Sequence, residues 1–415
     1  MQKKNKIFSL VLAIVLLLVI VFPAAVFGLE KDDSGDRIYG TDRYETALQV
    51  AKARWPNGSE TVVLAPGSEA NLADALTAAP LAQSKNAPIL LTEKNAISAT
   101  VKAYIALKTK TVYVVSGAIS SSVSSELEAM NIQVIKLGGN DRYATATNIA
   151  KEITNVNGIF VTTAQSNADA LSIASVAAAK GMPILLARTN NIPDVELTYL
   201  DENKDNLTHS YVIGGTTVIS DTVKGLIPGE ATRIFGADRY ATNLEVLKAF
   251  FTTNYDKVYV ANGNDNHLVD ALVASTLAAS TNSPIVMVNK DFNTAIQTQV
   301  INNLSPSGKV VALGGESVVS SSVNTSNYVK AEDFGVMQLS EVNGYTVGFA
   351  LPNKDMVSAV EVSLYKRDKT LLAKNVSTNK LFSLSGPQFS TPFNINGKLS
   401  RGCLLEIRRL DRKHL

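Results

Sequence analysis

The residues best suited to chemistry form a short block that occurs three times. Aspartate, arginine and tyrosine follow one another at positions 42–44, 141–143 and 238–240. A guanidinium presents a planar set of donors that fits phosphate or carboxylate, and tyrosine presents an aromatic face. Each block is therefore a candidate site for a sugar or a phosphate group. The candidate binding residues are Arg43, Arg142, Arg239, Tyr44, Tyr143 and Tyr240.

A structural interpretation of the same blocks stays open beside this one. Each aspartate precedes a predicted helix, where it would be a good N-cap because its side chain accepts a hydrogen bond from a free backbone N–H. A second set of aspartates, each followed by Ala-Leu, recurs at Asp74, Asp169 and Asp270. The arginines could pair with these aspartates, in their own unit or in a neighbouring one. A buried pair of this kind specifies geometry more than it adds stability.

These blocks belong to a long internal repeat. Successive arginines of the block are 99 and 97 residues apart. Each block is followed, in the same order, by the Asp-Ala-Leu segment, by a proline with an apolar run, and by a glycine-containing segment. A unit of about 100 residues is large enough to be a domain, so the sequence predicts three domains in tandem. We place their boundaries at 36–135, 136–232 and 233–328.

Within each unit, short apolar runs alternate with helical patterns. In the first unit the predicted strands are 61–65, 89–92, 112–115 and 134–137. The predicted helices are 74–84, 98–107 and 120–130. The strands are continuously apolar, which is typical of sheets covered by helices on both faces, and the alternation indicates a parallel sheet. The predicted fold class is α/β, with three Rossmann-like parallel-sheet modules in a pseudo-threefold arrangement.

The sequence contains few of the residues and motifs that enzymes use for catalysis. The chain of 415 residues has one cysteine, Cys403, and three histidines that do not recur with the repeat. No Cys/His cluster has zinc spacing, and no Gly-x-Ser-x-Gly or Gly-x-Gly-x-x-Gly motif follows a strand. We therefore expect a protein that is not an enzyme and that has no cofactor or metal. The formal net charge of +2 and the absence of a basic stripe speak against nucleic acid as a partner.

The first 28 residues have the pattern of a secretory signal peptide. Lys3, Lys4 and Lys6 precede an apolar run that ends near Pro23, with small residues up to Gly28. An uncleaved membrane anchor is the alternative, because the run is near the length of a span. Cleavage would leave 36 basic and 37 acidic residues, a net charge of −1. We expect no contact with the membrane after cleavage.

The ordered set of repeated segments resembles the type 2 cell wall-binding repeats of Gram-positive bacteria. The resemblance covers about residues 36–328 and implies a secreted surface protein, held non-covalently on anionic cell wall polysaccharide. It also raises the chance that the apolar strand ends face a ligand, although a core role is the simpler interpretation. The residues concerned are Leu90, Leu91, Leu185 and Leu186. The third repeat departs from the pattern, since Ser283-Pro284-Ile285-Val286-Met287 replaces Pro-Ile-Leu-Leu.

Two other functions are compatible with the pattern. One is a wall-lytic, amidase-like enzyme whose catalytic domain is absent from this chain, and the other is a small-molecule binding protein. Because the mature chain is almost neutral, recognition of an anionic polymer must come from local clusters. The basic residues expected near the strand ends are Lys85, Lys94, Lys180 and Arg188.

The region 330–415 differs from the repeats in its pattern of residue types. Strand-like runs separated by Asn, Ser and Gly predict a small β-rich region. The last fifteen residues hold five basic and two acidic residues and have no turn signals. They suggest a truncated or frame-altered end, and a frayed basic tail is the alternative.

Overall fold

A computed structural model describes residues 37–252 and 254–323, together with seven strands between residues 335 and 410. The proposed signal peptide at 1–28 lies outside the described residues, as does Cys403. Among the described residues no helix has both the length and the apolar character that a membrane span requires.

The first module is a four-stranded parallel sheet in the order β3-β2-β4-β5. Its strands are β2 (Thr61–Pro66), β3 (Ile89–Thr92), β4 (Thr111–Val114) and β5 (Gln133–Lys136). Its helices are α1 (Arg43–Arg54), α2 (Leu72–Ala75), α3 (Ala78–Ser84), α4 (Ala99–Ile105) and α5 (Ser121–Glu128). Strands β2, β3 and β4 are mostly buried and rich in Val, Leu and Ile, because helices cover both faces of the sheet. The edge strand β5 is only partly buried.

The second module repeats this sheet in the order β7-β6-β8-β9. Its strands are β6 (Gly158–Thr163), β7 (Ile184–Ala187), β8 (His209–Ile213) and β9 (Thr232–Ile234). Its helices are α6 (Arg142–Lys151), α7 (Asn167–Lys180), α8 (Asp194–Asn203) and α9 (Asp221–Gly225).

The third module contains strands from both ends of the repeat region, in the order β1-β12-β10-β11. Its strands are β1 (Arg37–Ile38), β10 (Tyr255–Asn262), β11 (Ile285–Val288) and β12 (Leu304–Leu313). Its helices are α10 (Arg239–Phe250), α11 (Leu268–Ser280) and α12 (Thr294–Asn303). The three parallel-sheet modules confirm the predicted α/β fold.

The strand that precedes each arginine block completes the sheet of the module before that block. β5 and β9 each precede the arginine block of the next repeat, yet they complete the sheets of the first and second modules. By the same rule β1 completes the third module, where Arg37 pairs with Ala312 and Ile38 with Leu313. The Gly314 N–H donates to the Ile38 carbonyl at 3.0 Å. The ends of the repeat region thus close into a ring.

The centre of the ring is made by the helices that follow the first strand of each module. α3, α7 and α11 contact one another and contribute to one buried cluster. Alanine dominates their contact faces, as at Ala78, Ala174 and Ala274, which are fully buried. Small side chains let the helices approach closely, and close packing in a common core favours the pseudo-threefold arrangement.

The first module interrupts this central helix, where the sequence predicts one helix over 74–84. Pro80 has no N–H to donate to the preceding turn, and α2 ends at Ala75 before α3 begins at Ala78. Pro80 lies in the first turn of α3, where the missing donor costs little. Ser175 and Thr276 occupy the corresponding positions in α7 and α11, which are continuous.

The β-rich region is described through its strands alone. They are β13 (Gly335–Glu341), β14 (Tyr345–Ala350), β15 (Ala359–Tyr365), β16 (Leu371–Ser377), β17 (Lys380–Ser383), β18 (Gly386–Phe393) and β19 (Leu404–Leu410). They form two antiparallel sheets, in the orders β13-β14-β18-β17 and β16-β15-β19. β19 lies within the last fifteen residues, where the sequence suggested an altered end or a frayed tail.

Candidate functional site

Each aspartate of the Asp-Arg-Tyr blocks caps a helix. The Asp42 carboxylate accepts a hydrogen bond from the Glu45 N–H at 2.8 Å, at the start of α1. Asp141 and Asp238 accept from the Ala144 and Ala241 N–H groups in the same way, also at 2.8 Å. The local sequence therefore begins α1, α6 and α10 at the arginine, which fixes the direction in which each arginine leaves the helix.

Each arginine then donates to a backbone carbonyl at the end of a strand. Arg43 bonds to the Gly67 carbonyl at 2.7 Å, just beyond β2. Arg142 bonds to the Ala164 carbonyl at 2.7 Å, and Arg239 bonds to the Gly263 carbonyl at 2.8 Å. The three arginines thus fasten their helices to the carboxyl ends of the sheets, which is where open α/β sheets bind ligands.

The tyrosines lie against the same strand ends and are partly buried. A Cβ atom at Gly67 would overlap the ring of Tyr44, and one at Gly263 would overlap the ring of Tyr240. Glycine at these two positions lets the ring lie directly on the backbone. Burial raises the pKa of both phenols, and nearby Glu93 raises that of Tyr44 further.

The aspartates of the Asp-Ala-Leu segments face the glycine segment of their own module. Asp169 and Asp270 lie in the first turns of the central helices α7 and α11, and Asp74 lies in α2, just before α3. The Ser116 hydroxyl donates to the Asp74 carboxylate at 2.6 Å. Glycines replace this serine in the other modules. A Cβ atom at Gly214 would lie 3.5 Å from the Asp169 carboxylate, and one at Gly314 would lie 3.0 Å from that of Asp270.

Two of these aspartates lie near the arginine of the following repeat. Asp270 of the third module and Arg43 of the first line one cavity of about 250 Å³, with His267, Thr46 and Gly315. Asp169 of the second module interacts electrostatically with Arg239 of the third repeat. We call these places the junction clefts. Each is formed by a central-helix aspartate, the glycine segment of its module and the arginine block of the next repeat.

Burial dominates the electrostatics of the second junction cleft. Asp169 is 7% exposed, and burial raises its pKa from 3.8 to about 6. The Arg239 charge and a hydrogen bond from Ser166 oppose this shift. The Arg239 guanidinium forms its direct ion pair elsewhere, with Asp265 at 2.6 Å, and this contact raises the pKa of Arg239. The arginine–aspartate pair that the sequence suggested between units is therefore not formed here, and the Arg239 charge acts on Asp169 only without direct contact.

The structure assigns the four leucines to the core. Leu90, Leu91, Leu185 and Leu186 have no exposed surface. Direct contact with a ligand needs exposed surface, so the suggestion that these leucines face a ligand is corrected. They are central residues of edge strands β3 and β7, and their buried faces pack under the helices.

Two of the four basic residues expected near the strand ends lie elsewhere. Lys85 follows the end of α3, 3.7 Å from Glu152, and Lys180 ends α7 beside the Phe250 ring. A helix that begins at the carboxyl end of a strand finishes near the amino ends of the strands, so neither lysine reaches the junction clefts. Lys94 and Arg188 do follow the ends of β3 and β7.

One buried acid was not recognised in the sequence. Glu196, in α8, has no exposed surface, and one of its oxygens accepts the Leu186 N–H at 2.9 Å. The other oxygen has no partner among the described residues. Burial raises the pKa of Glu196 well above its ordinary value. Its position shows no signal in the repeat, because the third residue after the N-cap is Val101 in α4 and Ile296 in α12.

The described residues contain no group of three or more His, Cys, Asp or Glu side chains arranged to hold a metal ion. What the junction clefts provide is guanidinium donors, carboxylate acceptors, hydroxyl groups and backbone groups. This set suits the hydroxyl and acidic groups of a carbohydrate polymer.

Comparison with known proteins supplies the family of the repeats. The family described as cell wall binding domain 2 matches residues 37–128, 136–224 and 233–324, about two thirds of the chain. Its three matches coincide with the three repeats recognised in the sequence.

The chain is similar to two proteins of Bacillus subtilis (strain 168). It is 29% identical over 309 residues to N-acetylmuramoyl-L-alanine amidase LytC, which covers 74% of this chain and 60% of that protein. It is also 29% identical over 359 residues to an amidase enhancer, covering 85% of this chain and 47% of that protein.

Two solved structures share the architecture. Cwp6 from Clostridium difficile has a TM-score of 0.63 at 30% identity, over 68% of this chain and 45% of that one. Cwp8 from the same organism has a TM-score of 0.63 at 29% identity, over 69% of this chain and 50% of that one. The chain thus spans about half the length of these relatives.

Proposed function

We propose that this chain, which belongs to the cell wall binding domain 2 family, is a secreted surface protein that is held non-covalently on an anionic polysaccharide of the bacterial cell wall. Its three repeats bind the cell wall, and the proposal concerns the export of the chain and the chemical class of the wall ligand. The pattern of a signal peptide in residues 1–28 supports export.

The observation that carries the ligand proposal is the repetition of one chemistry around the ring. Each arginine block lies at the carboxyl ends of the strands, where open α/β folds bind ligands, and each has a tyrosine beside it. A polymer with repeating units can occupy several such places at once. Weak binding at each place then gives strong retention overall through avidity.

Each type of residue in the clefts suits a different chemical group of the ligand. The guanidinium groups suit phosphate or carboxylate, and the aspartates suit sugar hydroxyls as donors to carboxylate oxygen. The near-neutral mature chain has no large field with which to attract a polyanion from a distance. Recognition therefore depends on local contacts within the clefts, and added salt should weaken it.

A second function is favoured by the two Bacillus relatives, one named an amidase and the other an amidase enhancer. In this alternative the repeats deliver a wall-lytic activity, or its enhancer, to the wall. The region after the third repeat decides between the alternatives. Faster turnover of purified peptidoglycan by an added amidase in the presence of the chain would favour the lytic function, and retention without any effect on turnover would favour the surface protein.

The test of the main proposal is retention on wall material. The chain without residues 1–28 is mixed with purified walls before and after chemical removal of the secondary polysaccharide. We expect retention that is lost after this removal and that falls as salt is added. Retention that is insensitive to both treatments would overturn the proposal and would indicate peptidoglycan or protein as the partner.

Arginine variants separate binding from folding in the same assay. Arg142→Ala removes the hydrogen bond to the Ala164 carbonyl, and Arg239→Ala removes both a carbonyl bond and the Asp265 ion pair. We expect each variant to keep the fold and to lose retention. A fall in melting temperature with retention unchanged in the folded fraction would assign the arginines a structural role alone.

A further inference from the structure

The place beside each tyrosine differs in charge among the three modules. The residue directly after the edge strand is Glu93 in the first module, Arg188 in the second and Asn289 in the third. All three are exposed and follow corresponding strands, β3, β7 and β11. The fold therefore presents an acid, a base and an amide at one equivalent position.

In the second module two guanidinium groups lie around one aromatic ring. The Arg188 guanidinium lies over the Tyr143 ring, 5.0 Å from its centroid, and Arg142 is held at the Ala164 carbonyl next to it. Within the described part of the chain, neither arginine has a carboxylate at ion-pair distance. Both positive charges at this place are thus left for an external group.

In the first and third modules a carboxylate offsets the arginine. Glu93 is close enough to Tyr44 to raise the pKa of its phenol, after the larger effect of burial, and Arg43 opposes this shift. In the third module Arg239 is paired with Asp265 at 2.6 Å. The Tyr240 hydroxyl donates to Asn264, which in turn donates to Asn289 at 3.0 Å. Both places combine one base with one acid.

We propose that Tyr143, Arg142 and Arg188, here called the arginine–tyrosine site, bind the acidic group of the wall polymer, and that the equivalent places in the first and third modules bind its uncharged hydroxyl or amide groups. This inference rests on the proposed function and refines it. A guanidinium already stacked on a ring loses little freedom when it binds phosphate or carboxylate in its own plane. The three modules then recognise different parts of one repeating unit.

The experiment measures binding of the full chain without residues 1–28 to two acidic polymers, poly(glycerol phosphate) and polygalacturonate. The first presents phosphodiesters and the second carboxylates, so the pair distinguishes the two sources of negative charge. Arg188→Gln should weaken binding to the preferred polymer about tenfold, which corresponds to the loss of one charge-assisted contact. It should also reduce the dependence of binding on salt.

Matched variants separate this site from general charge. Lys108→Gln removes the same charge from an exposed residue near the opposite edge of the first sheet, and it should leave binding unchanged. Glu93→Arg copies the chemistry of the second module into the first, and it should tighten binding by about threefold. Arg188→Lys keeps the charge but loses the planar fork, and it should fall between the wild type and Arg188→Gln.

Different results overturn the proposed function and the arginine–tyrosine site. A wild-type chain that is not retained on wall material overturns the proposed function. A chain that is retained on walls but binds neither acidic polymer overturns the arginine–tyrosine site. Equal binding by Arg188→Gln and the wild type, at equal melting temperatures, also overturns it. If Arg188→Gln does not fold, Glu93→Arg provides the test: tighter binding supports the arginine–tyrosine site, and unchanged binding overturns it.

Discussion

At the scale of single residues, Asp169 determines how the stability of the second module responds to pH. Its pKa is about 6 in the folded protein, above the ordinary value of 3.8, because burial disfavours the charge. The folded state then holds this proton more tightly than the unfolded state does. The contribution of Asp169 to the free energy of unfolding should therefore fall as pH rises from about 4 to about 6, and it should stay level above that range.

Asp169→Asn tests this dependence. The neutral side chain removes the cost of ionising a buried acid, so near pH 7 the variant should be more stable than the wild type. The gain should be at most about 3 kcal/mol, from a shift of about two pKa units. Near pH 4 the gain should vanish. Urea denaturation across this pH range measures the effect, with the exposed Asp205→Asn as the control. A constant difference between variant and wild type at every pH would contradict the assignment.

Sequence reasoning at the residue scale succeeded where a pattern repeats. The capping aspartates were predicted from their place before each helix, and the structure confirms their hydrogen bonds. Glu196 could not be predicted, because nothing repeats its acidic side chain and its burial depends on how α8 covers β7. The two-residue strand β1 also gave no signal of its own, because its pairing partner β12 lies more than 260 residues away.

At the scale of elements, side chains supply hydrogen-bond partners for backbone groups on the outer edges of the buried strands β7 and β11. Glu196 accepts the Leu186 N–H of β7. In β11, Asn243 accepts the Met287 N–H at 2.9 Å and donates to the Ile285 carbonyl at 3.0 Å. A buried edge strand needs such partners, because an unsatisfied backbone group in a core is costly. The two modules meet this need with different residues from different helices.

Two substitutions at Glu196 separate hydrogen bonding from charge. Glu196→Gln keeps an oxygen for the Leu186 N–H and removes the ionisable group, so it should stabilise the protein near pH 7. Glu196→Val places the residue found at the matching position of α4 and leaves that N–H unsatisfied, so it should be less stable than the glutamine variant by about 1–3 kcal/mol.

Thermal unfolding of both Glu196 variants at acidic and neutral pH measures the difference. Because the pKa of Glu196 is raised in the folded state, its stabilising contribution is present at acidic pH and is lost as pH rises. The gain from Glu196→Gln should therefore grow with pH. Equal stability of the glutamine and valine variants would show that the hydrogen bond to β7 contributes nothing.

The elements themselves were largely predictable from apolar runs and turn residues. The first-unit strand at 89–92 matches the observed β3. β2 is one residue longer than predicted, and β4 and β5 each begin and end one residue earlier. The central helix of the first module is the exception, since the Ala-rich pattern hid the effect of Pro80. Strand order was beyond the sequence, because it depends on which strands pair in the folded sheet and not on any local run.

At the scale of the whole molecule, the closure of the ring depends on two residues. Arg37 donates to the Gly314 carbonyl at 2.7 Å, and the Ile38 carbonyl accepts the Gly314 N–H. Ile38 also packs against the shared central cluster. The edge of the third sheet is therefore covered by the start of the repeat region.

Ile38→Pro should open this closure. Proline removes a backbone donor and restricts the backbone at the strand, with a cost on the order of 3 kcal/mol. Hydrogen exchange should then increase in β12, and much less in β4 and β8, which pair with unchanged strands. Ile38→Val keeps the strand and should cost about 1 kcal/mol. Unchanged exchange in β12 of the proline variant would show that β1 does not stabilise the third module.

The strand that precedes each arginine block also determines the outer edge of a sheet. In the third module this edge strand is β1, which is only two residues long. A very short edge strand offers few free N–H and C=O groups to another chain, so the closure of the ring also discourages edge-to-edge aggregation of the third sheet.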